Sequence, residues 1–494
     1  MENGKLKIED MRRILSAAVV MAAMMTAQAE IKLPALVGDH MVLQQQTDAR
    51  LWGWAEPKSR IEAKTSWNNE TVTAKADANG KWMLSVKTPA ATFDPQTVTL
   101  TENGGKAVAI HDVLIGEVWL ASGQSNMQMP LKGFAGCNVQ HGTVDAMNVK
   151  REAPGVRMMT VTMTQSFNLE EDCGGKWETG TFPETMEWGA TAYYFASTLS
   201  NALQIPVGIV NSSYGGAMVE SWTSEDIVKT YADINTDHDA IMKMETHYLR
   251  PIMMYNAMFW PIRHYTYKGI IWYQGCSNVG RTPASTEYAQ RLVTMVKLWR
   301  KEIGLGDIPF HYVEIAPYDY DGDQDECSPF LREQQYKAQA IIPNSFMIST
   351  NDLVEPFELH NIHPRQKRTV GERLCYSALN KVYGMWQVCC SGPRYKEMII
   401  EGDTCYIGFD DLQMGICRNY MIEGFEVAGD DRIFHPAENV WLRWQTNHVV
   451  VRSSKVSKPV AVRYCFHDFQ PGTLLGGSEL PAYPFRTDDW EIGE

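Results

Sequence analysis

The chain has 494 residues, 44% hydrophobic and 21% charged, with a formal net charge of −14. That length allows two or three domains with full cores, and the acidic balance argues against nucleic-acid binding, which needs a basic footprint. A small anionic ligand is still compatible, because one local arginine can outweigh a screened distant field.

The first segment reads as a targeting signal. Arg12 and Arg13 precede an apolar run from Ile14 to Met25, and Ala27-Gln28-Ala29 precedes Glu30. These are an n-region, an h-region and a small-residue cleavage site. The charged residues before Met11 fit that pattern poorly, which makes Met11 a candidate start. The run is too short for a bilayer span, and no later segment reads as transmembrane. Residues 1–29 are therefore expected to be a signal peptide, and the protein to be exported to a periplasmic or extracellular location. Disulfides are permitted there, and the ten cysteines are an even number; they form no metal knuckle or CxxC pair, and their connectivity stays open.

Residues 30–110 show short alternating runs such as Arg50–Trp54 and Trp82–Val86, with an Asn79-Gly80 turn between them. That pattern predicts a small antiparallel β domain of sandwich type. From 111 to 385 strands alternate with helices, which predicts an α/β domain: a mainly parallel sheet covered on both faces. Val118–Ala121, Val207–Val210, Lys268–Tyr273, Pro309–Ile315 and Phe346–Ser349 read as strands. Ala192, Phe195, Leu199 and Leu203 mark one helical face, and Leu292, Val296, Trp299 and Ile303 another. Phe330–Ile341 is a third helix, and Pro364, at the favoured first position, opens a fourth. Residues 386–494 return to strands and predict a C-terminal β domain.

In such a sheet, catalytic groups gather beyond the C-terminal ends of strands. Four strand ends carry suitable chemistry: Ser125, the pair Gly215-Gly216, Asn278, and His363. A serine hydroxyl needs a base to become a nucleophile, and histidine serves near neutral pH. The tetrahedral intermediate of acyl transfer needs donors for its oxyanion, each worth about 2.7–4 kcal/mol. The N–H of Ser125, the N–H of Gly215 or Gly216, and the Asn278 amide are the candidates. Read singly, each is also what an ordinary turn would contain. Asp352 is the first candidate to orient His363, with Glu355 and Glu358 behind it, although a backbone carbonyl can hold an imidazole as well. His360 raises a metal alternative, but no third ligand clusters with it. The α/β-hydrolase elbow, a P-loop and a dinucleotide fingerprint are absent.

The blocks that carry these residues resemble the sialate O-acetylesterases, within the broader SGNH hydrolases. Gly116-Glu117-Val118-Trp119 leads into Ser122-Gly123-Gln124-Ser125-Asn126-Met127; Tyr214-Gly215-Gly216, Trp272-Tyr273-Gln274-Gly275, Arg332-Glu333-Gln334 and Ile362-His363-Pro364 with Lys367 follow in family order. The resemblance implies a three-layer SGNH-like catalytic domain flanked by β structure, which removes O-acetyl groups from sialic acids without a metal or other cofactor. Carried over by position, Ser125 is the nucleophile, His363 the base, Gly215 or Gly216 and Asn278 the oxyanion donors, and Gln124 and Gln274 line the site. Cys276 stands where the family usually has glutamate, and Asn361 where aspartate is common. Xylan or another acetylated glycan is the alternative substrate, and a carbohydrate binder impaired in catalysis is the alternative function. A sialate carboxylate invites a bidentate arginine, for which Arg263, Arg281 and Arg332 are candidates by position.

Overall fold

A computed structural model describes residues 31–280, 284–320, 327–418 and 421–490. The expected signal segment lies outside these residues. The central sheet is built from β1 (Ala107–Gly123), β2 (Val156–Thr160), β3 (Trp177–Glu178), β4 (Val207–Ser213), β5 (Gly269–Tyr273), β6 (Phe310–Val313) and β7 (Ser345–Ile348). Its strand order is β7-β6-β5-β1-β4-β2-β3. All neighbours run parallel except the short β3.

Alternation along these strands separates two cores, as the period of two requires. Val118 and Leu120, with Ile270 and Trp272, face one core together with Leu292, Val296 and Trp299 of α3 (Ala284–Ile303) and Leu331 of α4 (Cys327–Ile341). Trp119 and Ala121, with Ile271 and Tyr273, face the other. There they meet Phe195 and Leu199 of α2 (Ala190–Leu203) and Val370 and Leu374 of α5 (Lys367–Lys381). Both faces are buried, so the strands read as continuous apolar runs. This is the three-layer SGNH-type α/β arrangement that the sequence predicts.

Two expectations change. Residue 110 is no break in the sheet, because β1 runs through it. The first half of β1 pairs antiparallel with Thr92–Glu102, and its second half pairs parallel with β4 and β5. Pro364 does not open a helix; α5 begins at Lys367, after Gln366 at ψ 61°. The Pro364 carbonyl is instead taken by the buried Lys367 ammonium at 2.5 Å. The helix therefore starts three residues later, and His363 lies in a loop ahead of it.

The C-terminal residues form two four-stranded sheets around Ile407, Val427, Val449 and Tyr464. Tyr483 donates to the Met347 carbonyl (2.8 Å) and Arg486 to Glu333 (3.1 Å), which fastens this unit to the β7 side of the central sheet. Among the described residues no helix is long and apolar enough to cross a membrane.

Candidate active site

The serine turn is set by backbone geometry. At the end of β1, Gly123 has φ +138°, and a Cβ there would lie 2.2 Å from the Tyr273 carbonyl, so only glycine fits. Gln124 N–H then donates to that carbonyl (2.9 Å), and Gln124 Oε1 accepts from Gly275 N–H (2.9 Å). The chain passes into α1 (Ser125–Gln128), with Ser125 half-buried at its first position.

Beyond β4, Tyr214 N–H donates to the Gly123 carbonyl (3.1 Å) and holds the next loop against the serine turn. A Cβ built on Gly215 would lie 3.5 Å from Ser125 Cβ, while Gly216 adopts φ +78°. The backbone N–H groups of Ser125, Gly215 and Gly216 have no protein acceptor among the described residues. Unpaired donors collected beside a serine are what an oxyanion requires.

His363 is brought to this turn by Asn126. Its Nδ2 donates to the Ile362 carbonyl (3.0 Å), and its Oδ1 accepts from Lys367 Nζ (2.8 Å). Asn361 Oδ1 accepts the His363 backbone N–H (3.0 Å), and the Phe134 ring packs edge-on against the imidazole at 5.2 Å. Neither ring nitrogen has a protein partner among the described residues. Burial, aided by the nearby Lys367 ammonium, pushes the His363 pKa down to about 4, which keeps the ring neutral and able to accept a proton. Lys367 is itself 1% exposed, and burial pushes its pKa down to about 7 against the pull of Glu358.

A cavity of about 480 Å³ adjoins these groups. Phe134 and Gln128 form the wall shared with the site, since Gln128 Oε1 lies 2.8 Å from the Cβ position of Gly215. Asn211 and Ser213 line it from the strand-end side, and Lys132, paired with Glu187 at 2.5 Å, supplies its cation. A concave space with a few convergent polar groups suits a small polar ligand.

The other predicted residues do different work. Asp352 does not reach His363, because both its oxygens bond Arg373 of α5 at 2.6 Å. Glu358 accepts the Arg365 and Glu355 backbone N–H groups, so it braces the loop rather than the ring. Asn278 is fully enclosed; its Nδ2 donates to Glu220 (3.0 Å), which is paired with buried Arg291 (2.7 Å). That carboxylate draws the amide away from the oxyanion role. Gln274 is equally enclosed, donating to Asn278 and the Ala217 carbonyl, and Gln124, 2% exposed, braces the turn rather than lining it. Arg332 is 1% exposed and bonds Asn351 and the His467 carbonyl, while Arg263 stacks on Trp260 at 3.7 Å. Arg281 lies outside the described residues. Cys276 is buried, with its thiol pKa raised by that burial, and the nine cysteines whose side chains are described are free thiols. Lys132, Phe134 and Gln128 were not singled out by sequence reasoning. They lie on no strand end, and only their distance from Ser125 in the chain hinted at them.

A parallel sheet covered on both faces, with the loop that carries His363 tied to the serine turn through Asn126, has the architecture of an SGNH-type hydrolase. Residues 115–380 match the family model described as carbohydrate esterase, sialic acid-specific acetylesterase. Sialate O-acetylesterase of Mus musculus is 26% identical, over 91% of this chain and 93% of its own length; that of Homo sapiens is 28% identical over 72% of each. The structure of a carbohydrate acetylesterase from Xanthomonas citri superposes with a TM-score of 0.81 at 31% identity, covering 93% of this chain and all of that one. The chain belongs to the sialic acid-specific acetylesterase family of carbohydrate esterases. It is a carboxylic ester hydrolase that acts on acetylated sugars.

Proposed function

We propose that this protein removes O-acetyl groups from sialic acids through an acetyl-serine intermediate on Ser125. One observation carries the reading: among the described residues the backbone N–H groups of Ser125, Gly215 and Gly216 have no protein acceptor, and Asn126, the residue after the serine, holds the loop that carries a neutral His363 imidazole with open nitrogens. Ser125 Oγ attacks the acetyl carbonyl carbon, and His363 takes the hydroxyl proton. The N–H groups of Ser125, Gly215 and Gly216 receive the oxyanion. The carbon–oxygen bond to the sugar breaks, and the departing oxygen takes the proton from His363. Water then attacks acetyl-Ser125 with His363 as base, releasing acetate and restoring the serine hydroxyl. The Arg12-Arg13 and apolar pattern supports an exported protein, which fractionation of the producing cell tests.

Acetylated xylan or another neutral acetylated glycan is the second reading. It is favoured by the absence of Arg263 and Arg332 from the cavity, where Lys132 is already paired with Glu187. Acetate release from O-acetylated sialic acid and from acetylated xylan should be compared at equal ester concentration. A preference for the sialic acid is expected, and a preference for xylan transfers the assignment. Ser125→Ala and His363→Ala should each abolish most aryl acetate hydrolysis; undiminished turnover in both removes the site.

A further inference from the structure

The C-terminal β unit holds a second cleft, of about 780 Å³, that the esterase chemistry does not use. It lies where β8 (Phe425–Ala428) of one sheet faces β9 (Asn439–Arg443) of the other. Two tryptophans line it while staying wet: Trp441 is 48% exposed and Trp444 57%. Large apolar rings grouped on a surface mark a binding site more often than chance exposure does. The Arg418 guanidinium lies over the Trp444 ring at 5.5 Å. Around the rings stand acceptors. Glu423 is exposed, Glu426 pairs with His467 at 2.6 Å, and Glu438 accepts the Ser454 backbone N–H. Gln470 Oε1, shut off from solvent in the same cleft, has no protein partner among the described residues.

Flat indole faces cover the C–H faces of sugar rings, and carboxylate and amide oxygens accept from sugar hydroxyls. Three carboxylates against one arginine disfavour an acidic sugar. We propose that this cleft binds a neutral, hydroxyl-rich oligosaccharide and so holds the esterase on glycans. A competing occupant is a strand of another chain, because β9 is the edge of its sheet.

The test uses the whole protein and an array of neutral and sialylated oligosaccharides that carry no acetyl ester, so its result is independent of the esterase reading. The protein should bind neutral members. Trp441→Ala with Trp444→Ala should weaken that binding at least about tenfold and leave aryl acetate hydrolysis unchanged. Glu423→Gln, on the surface, should weaken it by a smaller factor and covers the case in which the double variant fails to fold. The proposal is overturned by absence of neutral glycan binding, by retention of sialylated members alone, or by binding that both variants leave intact. A dimer in solution that the tryptophan variant dissolves, without glycan binding, assigns the cleft to strand pairing instead.

Discussion

Replacing Lys367 with methionine separates the electrostatic setting of His363 from simple packing. Lys367 Nζ bonds Asn126 Oδ1 at 2.8 Å and the Pro364 carbonyl at 2.5 Å, so one buried cation ties the serine turn to the histidine loop. Hydrogen bonds to a charged group contribute about 1.5–3 kcal/mol each, but the burial that lowers the lysine pKa to about 7 opposes them. The net loss of stability should be about 1–3 kcal/mol. The effect on catalysis has a sign. The cation helps hold His363 near a pKa of about 4, with burial the larger cause. Its removal should raise the histidine pKa by up to about one pH unit. Rate is lost as pH falls and the base is protonated, so the acid limb of kcat/KM for an aryl acetate should move up in Lys367→Met and stay low in Lys367→Arg. Stability offers a second readout. The folded lysine releases its proton at about 7 and the unfolded one near its ordinary value, so the unfolded chain binds more protons between them. Wild-type stability should therefore rise with pH across that window, and the rise should vanish in Lys367→Met. An acid limb that coincides with wild type, or moves down, refutes the electrostatic reasoning.

One further substitution tests an assignment that the structure changed, and a second tests whether Lys132, the cation of the cavity near the serine turn, meets a sialate carboxylate. Asp352→Asn should lower stability by about 2–4 kcal/mol in thermal or urea unfolding, because it breaks a largely buried pair with Arg373. Its kcat at a temperature where it is folded should stay within about threefold of wild type; a loss near that of His363→Ala returns Asp352 to the catalytic group. Lys132→Gln should raise KM for O-acetylated sialic acid by no more than about fivefold, since the lysine is half-exposed and already paired. KM for a neutral acetylated sugar should not change, and an equal rise for both removes the lysine from carboxylate recognition.

Much of the sheet was legible because it is buried on both faces. Val118 and Trp119 belong to opposite cores, yet both are apolar, and a short apolar run between turn signals reads as a strand whichever way each side chain points. Ser125 and His363 stand out in the sequence as candidates because each comes after such a strand. Their support was not. Asp352 stands close to His363 in the chain, but Arg373, 21 residues further on, claims its carboxylate. Asn278 looks like a free donor until Glu220, 58 residues away, is placed against it. Pro364 carries a strong local preference for a helix start, overridden by an ammonium that bonds its carbonyl from the following turn. In each case a buried charge decided the outcome; for Asp352 and Asn278 it comes from a distant segment, of which spacing along the chain carries no trace.

The central claim is that Ser125 carries the acetyl group. Rapid quenching during aryl acetate turnover, followed by mass spectrometry, should find one acetyl adduct on the peptide containing Ser125, with none in Ser125→Ala. Turnover with no adduct in a pre-steady-state burst, or an adduct on any other residue that the Ser125→Ala protein still forms, would contradict the account.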